Sequence, residues 1–558
     1  MYSGPQLVEL LERQHQARQQ SGLFKKDTFT LQWRAKVGSF PHPDIETIVS
    51  AGEPCGAWRP SDGRPEDKRN VGENWKQMPK LPLNGYIPGS CIRGVVRAWA
   101  KQRPKIKLRM YQLLGYQDND TISAGKIEFL DAWPEQPTKL TLDIVNPQEP
   151  FQVYHEGQST PLSLYTLGNG KDSIRLTVAI RGIPGRTTEA EVEEVWDWVQ
   201  QALSLYGVGS RTASGYGGVK LDNFDQPAPD PDYSVKQFDF SLYSQGCAGP
   251  DIKTLELRPS HCRGWLRSWM LRFLLGVMLK ENAQITVTEL MGTLESPADN
   301  KSRKGSVRLQ MTQGEPWGEL SQNQPNFYAW EGQLRLSARS DILNSIILPV
   351  VRFAVMVGGV GRGWRRPLHI YWMEKRNGEQ EEASRGTYLT LTHELKSGVK
   401  PFGLPPQAEN WRDLYQEWQT AVQQRWPSRF APEAGLKAEV FSPRTCAVYL
   451  VPGPEAEPVD RKNLTWKDID AVETRGLGMD LIYNPTYKRQ PDVGGNAGRG
   501  NAYCSWVSVR RIPVKEGTKE IVCLFMGDEN SLRSQFLGDL AKISGAVHLF
   551  GVQPSNPI

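Results

Sequence analysis

Apolar and polar residues alternate near the start of the chain: Phe29, Leu31, Trp33, Ala35 and Val37 are separated by Thr30, Gln32, Arg34 and Lys36. A period of two predicts a strand with one face in a core. Residues 6–19 before it read as a helix, and residues 40–79 after it, rich in Pro, Gly, Asp and Arg, read as a long loop. A helix beginning at Ser90 follows, then strands near residues 126–133, Leu140–Val145 and 173–181, a helix over Glu189–Tyr206 and a strand near 218–222. Strand, helix, strands, helix, strand is the order of a ferredoxin-like or RRM-like α+β domain with an inserted hairpin.

The pattern then restarts. Residues 227–233 (Pro-Ala-Pro-Asp-Pro-Asp-Tyr) read as a linker between a first domain, 1–226, and a second, 234–558. The second opens with a strand over 236–243 and a helix from Ser260, and carries the basic segment Asn300-Lys301-Ser302-Arg303-Lys304-Gly305. Beyond residue 370 the chain reads only as a C-terminal extension, with a helix over 411–426 and a Gly- and Arg-rich loop over 487–511 running into a strand.

A repeat that matches at Ser, Arg, Gly, Arg and Trp supports this division. Ser90-Cys91-Ile92-Arg93-Gly94-Val95-Val96-Arg97-Ala98-Trp99 returns as Ser260-His261-Cys262-Arg263-Gly264-Trp265-Leu266-Arg267-Ser268-Trp269. Each copy is followed by a helix that runs into a glycine loop, Gly207 to Gly217 with Gly209 and Arg211, and Gly358 to Arg366 with Gly361 and Arg362. Glycine lets backbone N–H groups approach an anion, and a guanidinium grips two phosphate oxygens at once. A helix starting at Ser90 or Ser260 would aim its dipole at the same target. Serine caps and glycine turns also punctuate ordinary helices, but their return in the same order favours anion binding. Ser90, Arg93, Gly94, Arg97, Gly209, Arg211, Ser260, Arg263, Gly264, Arg267, Gly361 and Arg362 are therefore the candidate phosphate-binding residues. The glycine loops follow helices and precede strands, the reverse of a dinucleotide-binding turn, and there is no Walker A sequence.

Composition narrows the class without deciding it. The 558 residues carry a net charge of +5, mildly basic and compatible with local phosphate-binding tracks. Among 18 tryptophans, Trp99, Trp265, Trp269, Trp364 and Trp506 stand close to arginines, where stacking on bases is conceivable. Seven scattered cysteines without a CxxC pair fit reduced thiols in a cytoplasmic protein. The most apolar stretch, residues 342–358, is interrupted by Asn344, Pro349 and Arg352, and predicts no membrane partner.

Ile87-Pro88-Gly89-Ser90-Cys91-Ile92-Arg93-Gly94-Val95-Val96-Arg97 together with the Gly207–Gly217 loop resembles the RAMP superfamily of CRISPR-associated proteins. The segments Gly125-Lys126-Ile127-Glu128-Phe129-Leu130-Asp131-Ala132 and Asp143-Ile144-Val145-Asn146-Pro147 resemble a terminal subunit of type III-B effector complexes, and the second repeat resembles another. The resemblance implies a tandem fusion of two backbone subunits of a type III effector, III-B or III-D-like, which grips guide RNA and pairs it with complementary target RNA beside other subunits. The second copy departs from the motif at Pro259, where Pro-Gly-Ser would be usual. In family members that cut, an aspartate between the first strand and the Ser-Arg-Gly helix acts with a divalent ion. That loop holds Asp44, Asp62 and Asp67 in the first domain and Asp251 in the second, with Mg2+ or Mn2+ as the implied cofactor. The alternatives are a purely structural RNA-binding subunit and a metal-independent ribonuclease that processes guide precursors, with His42 as its base.

Overall fold

The computed structural model describes residues 4–36, 39–41, 48–50, 58–59, 64–65, 85–118, 121–145, 148–157, 162–170, 172–221, 233–245, 256–293, 299, 305–316, 327–361, 363–374, 378–460, 465–466, 472–496, 502–515 and 517–554. The linker over 227–232, the basic segment apart from Gly305 and most of the 40–79 loop lie outside them.

Helix α1 (Gly4–Ala17) precedes strand β1 (Phe24–Leu31). The alternation holds through Gln32; Phe29, Leu31, Trp33 and Ala35 are buried as expected, but Arg34 is buried with them, and Val37 lies outside the described residues. The strand itself ends at Leu31, and Trp33 beyond it packs on Tyr216, ring centroids 4.7 Å apart. Helices α2 (Gly89–Lys101) and α3 (Pro104–Leu114) follow, then β2 (Ile127–Phe129), the hairpin β3 (Leu140–Val145) and β4 (Leu162–Leu167) with the short helix α4 (Glu149–Val153) between them, β5 (Ile174–Gly182), α5 (Glu189–Tyr206) and β6 (Val219–Leu221). The start of α5 is set by a capping box, in which Thr188 accepts from the Glu191 N–H and the Glu191 carboxylate accepts from the Thr188 N–H. The sheet runs β6-β1-β5-β2, every pair antiparallel. That is the ferredoxin-like order, with the two helices α2 and α5 on one face.

The second unit repeats it. Strand β7 (Tyr233–Gln245) is followed by α6 (Pro259–Leu274), α7 (Lys280–Met291), β8 (Arg308–Pro316), β9 (Phe327–Arg339), a helical run ending in α8 (Leu348–Val357), the hairpin β10 (His369–Glu374) and β11 (Gln380–Arg385), then β12 (Thr387–Leu395), β13 (Gly398–Pro401) and helix α9 (Ala408–Arg425). The sheet is ordered β8-β9-β7-β12-β13. The run Ser340–Val357 is long and apolar enough to cross a membrane, but 67% of it is buried inside the fold as a core helix.

The extension holds a third sheet that the sequence pattern did not predict. Strand β14 (Cys446–Pro452), helix α10 (Leu477–Tyr483), β15 (Val507–Val514), β16 (Gly517–Phe525), α11 (Ser531–Ala541) and β17 (Val547–Gly551) form an antiparallel sheet ordered β15-β16-β14-β17. This is the ferredoxin-like order a third time. The first sheet has its own core, whereas the second and third share one apolar core into which Val153 and Tyr154 of the first unit also pack.

Candidate nucleic-acid interface

Helix α2 is amphipathic: Ile92, Val96, Trp99 and Ala100 are buried, while Ser90, Arg93, Gly94 and Lys101 are exposed and Arg97 is half-buried. Spacings of three and four residues place the last five on one face. In α6 the corresponding face carries Ser260, Arg263, Gly264 and Arg267, opposite the buried Cys262, Leu266, Trp269 and Met270.

The arginines have a structural task in both copies. Arg93 and Arg97 donate to the carbonyls of Leu114 and Gly115 at the C-terminus of α3, the Arg97–Leu114 bond being 3.2 Å. Arg263 donates to the Met291 carbonyl and Arg267 to that of Gly292 at 3.1 Å, at the C-terminus of α7. A cation there meets the negative end of the helix dipole and carbonyls that the helix leaves unpaired. Each guanidinium has five N–H donors and spends only part of them in this way.

The glycines between these arginines have no such task. A Cβ on Gly94 or Gly264 would meet nothing within 4 Å. Inside a helix, glycine costs about 1 kcal/mol relative to alanine, and here neither packing nor a positive φ demands it. Gly209 is the opposite case: its φ is +77° and a Cβ would lie 2.5 Å from the Lys36 carbonyl. Gly361 also has a left-handed φ, +86°. Arg211 adopts φ +56° just after Ser210, whose N–H donates to the Lys36 carbonyl at 2.6 Å. Arg362 lies outside the described residues.

The first glycine loop sits on the second Ser-Arg-Gly helix. A Cβ on Gly215 would lie 2.6 Å from the Pro259 Cβ. The junction is locked by a buried ion network. Glu256 accepts from Trp33 Nε1 at 2.7 Å and Arg34 Nε at 2.8 Å, while Asp143 accepts from Arg258 Nη2 at 2.8 Å and Tyr216 OH at 2.6 Å. Burial alone would push the Asp143 carboxyl up, but Arg258 and Arg34 hold it below its usual range. The helix starts themselves are not open to an anion. Asp131 accepts the Gly89 N–H at 2.8 Å, and Pro259 is covered by the first glycine loop.

The junction instead gathers cations. Burial pushes the Arg263 guanidinium down to about 10, and the neighbouring Arg267, Arg308 and Arg211 push the same way against the Glu149 carboxylate. It stays protonated at neutral pH. Arg308, the first residue of β8, is 8% exposed and lies over the Tyr206 ring at 4.8 Å. The Nε atoms of Arg263 and Arg308 have no hydrogen-bond partner among the described residues. Arg308 was missed from sequence. No pattern in the sequence marks it, although Gly305 before it lies against the C-terminus of α7 as Gly125 lies against that of α3.

Base stacking on tryptophan is corrected by the structure: Trp99, Trp265, Trp269, Trp364 and Trp506 are all buried core residues. Asp44, Asp62, Asp67, Asp251 and His42 lie outside the described residues. Among the described residues no three His, Cys, Asp or Glu side chains group as a metal site.

Residues 83–220 match the family model described as the RAMP superfamily. Similar solved structures include a chain of the type III-B Cmr-beta complex bound to cognate target RNA, with a TM-score of 0.24 and 15% identity over 40% of this chain and 66% of that one. Cmr6 from Pyrococcus furiosus has a TM-score of 0.20 and 20% identity over 36% of this chain and 97% of its own. A chain of a type IV-B CRISPR complex has a TM-score of 0.21 and 16% identity, over 37% and 93% respectively. No curated protein matches.

Proposed function

We propose that the RAMP-superfamily segment at 83–220 and the ferredoxin-like unit after it act as a tandem guide-RNA-binding backbone subunit of a type III CRISPR effector complex, working beside other subunits. The observation that carries this reading is the pair Gly94 and Gly264, each on an open helix face between arginines, where only an approaching outside backbone gives a reason to omit the side chain. The four-arginine junction supplies the charge that such a backbone needs.

The test uses glutamine. Arg93→Gln, Arg97→Gln, Arg263→Gln and Arg267→Gln keep an amide donor for the helix carbonyls but remove the charge. The slope of log affinity against log salt should fall by roughly 0.7 per lost contact with single-stranded RNA. A folded quadruple variant with the wild-type slope overturns the reading.

We further propose that this chain cuts target RNA paired to the guide, with Asp251 and one of Asp44, Asp62 and Asp67 serving Mg2+ or Mn2+. Such an ion would neutralise charge at the scissile phosphate when bound. What supports this reading is that Glu256 and Arg258, which follow Asp251 closely in sequence, are clamped in the buried network beside the second Ser-Arg-Gly helix.

A further inference from the structure

At the junction of the second and third units, Arg475 and Lys488 lie over the Tyr483 ring, and Arg385 and Arg489 lie near Lys488. The Arg475 guanidinium carbon lies 4.9 Å and the Lys488 ammonium 5.4 Å from the centroid of the Tyr483 ring. The tyrosine is fixed from beneath. His369 is buried, and burial pushes its imidazole down to about 3, so it is neutral. With Nδ1 2.9 Å from the Pro367 carbonyl, the proton sits on Nδ1 and Nε2 accepts from the Tyr483 hydroxyl at 2.6 Å. The hydroxyl is thus tied inward, and the ring serves as a platform for the two cations.

Arg385, Lys488 and Arg489 are exposed. Arg489 has a left-handed φ of +60°, in a turn whose Arg489 carbonyl accepts from the Tyr503 hydroxyl. The buried Nε of Arg475 has no partner among the described residues. Burial lowers the Lys488 ammonium, and Arg489, Arg475 and Arg385 lower it further. Asp480 faces Arg475: burial raises its carboxyl and the Arg475 guanidinium works against that rise. The start of helix α10 is already satisfied. Buried Glu520 accepts from the Gly476 N–H at 3.1 Å and the Met479 N–H at 3.0 Å. A ligand anion therefore has no helix end to use here and meets side-chain cations alone.

The geometry points to a second phosphate-binding patch, formed by Arg385, Arg475, Lys488 and Arg489, which grips a single-stranded RNA segment running past the second unit onto the third. This rests on the RNA-binding reading above. It assigns to the third unit a role that neither repeat motif carries, since the patch lies outside both copies and outside residues 83–220.

The test compares Lys488→Ala/Arg489→Ala with wild-type full-length protein on a nested series of single-stranded RNAs of increasing length. Both side chains are exposed, so the melting temperature should stay unchanged. For RNAs too short to reach the third unit, affinity and salt slope should match wild type. For longer RNAs the slope should fall by about 1.4, two contacts at roughly 0.7 each, and Lys488→Arg should keep it. An equal slope at every length overturns the patch while leaving the RNA-binding reading intact. So does loss of binding to an acidic partner protein with RNA affinity unchanged, which would make the patch a protein contact. If wild type binds no RNA of any length, the RNA-binding reading fails and the patch falls with it.

Discussion

Gly94→Ala combined with Gly264→Ala separates folding from binding by sign. Each glycine occupies a helix interior at a cost of about 1 kcal/mol against alanine. Because a Cβ at either position has no neighbour within 4 Å, no clash subtracts from that gain. The free protein should therefore be more stable by about 1–2 kcal/mol for the pair, a rise of roughly 2–4 °C per kcal/mol for units of this size. RNA affinity should move the other way. A methyl group that holds a phosphate off the helix face removes charge-assisted hydrogen bonds of about 1.5–3 kcal/mol, about tenfold or more in the dissociation constant. Calorimetry of the free chain and fluorescence anisotropy with labelled RNA read the two effects, and Gly94→Leu/Gly264→Leu should widen the split. Gly209→Ala serves as the contrast. At φ +77° and 2.5 Å from the Lys36 carbonyl it should lower the melting temperature. A more stable Ala pair that binds RNA as wild type does would refute the claim that these faces meet RNA. A less stable pair would refute the open space itself.

Glu439 joins the units through Arg272 at 2.6 Å, Arg365 at 2.7 Å and His155 at 3.0 Å. Glu439→Gln strands these buried guanidiniums and should cost about 3–5 kcal/mol, read by urea unfolding. Burial would raise the Glu439 carboxyl, yet Arg365 and Arg272 bring it from the usual 4.5 down to about 2. A depressed folded value contributes stability above the unfolded value, lost as pH falls between about 4.5 and 2, so the Gln variant should lose less stability than wild type across that window. With the reconstituted complex, Mg2+ or Mn2+ and complementary RNA, Asp251→Ala should remove one cleavage product while target binding persists, because a carboxylate serving a metal acts on the transition state. Wild-type fragments from Asp44→Ala, Asp62→Ala, Asp67→Ala and Asp251→Ala alike would leave the chain a structural RNA-binding subunit.

The first two sheets were legible because their signals are local. The alternation from Phe29 to Gln32 and the Ser-Arg-Gly repeat both survive in the structure, while Arg34 breaks the alternation by burying its charge in the ion network. The third sheet was hidden because Cys446–Pro452 pairs on both edges and is buried for six residues in succession. A strand covered on both faces has no period of two. Its helix α10 is only 7 residues long, too short for a helical period to show. The tryptophans misled for a related reason: an indole beside arginines in sequence can equally be a core anchor, as Trp364 is, with its Nε1 donating to Gln152 Oε1 at 2.8 Å. The part Arg93 and Arg263 play in closing helix ends was invisible as well, since the carbonyls they hold lie 21 and 28 residues downstream. The Glu256 and Asp143 network joins residues more than one hundred positions apart, beyond the reach of any window on the sequence.

Isolation of the untagged chain from its native source, with sequencing of the bound RNA and mass spectrometry of the bound proteins, tests the central claim most directly. The account predicts short RNAs sharing a common guide-like end, together with other subunits of one effector complex. A chain recovered intact, alone and free of RNA would contradict it.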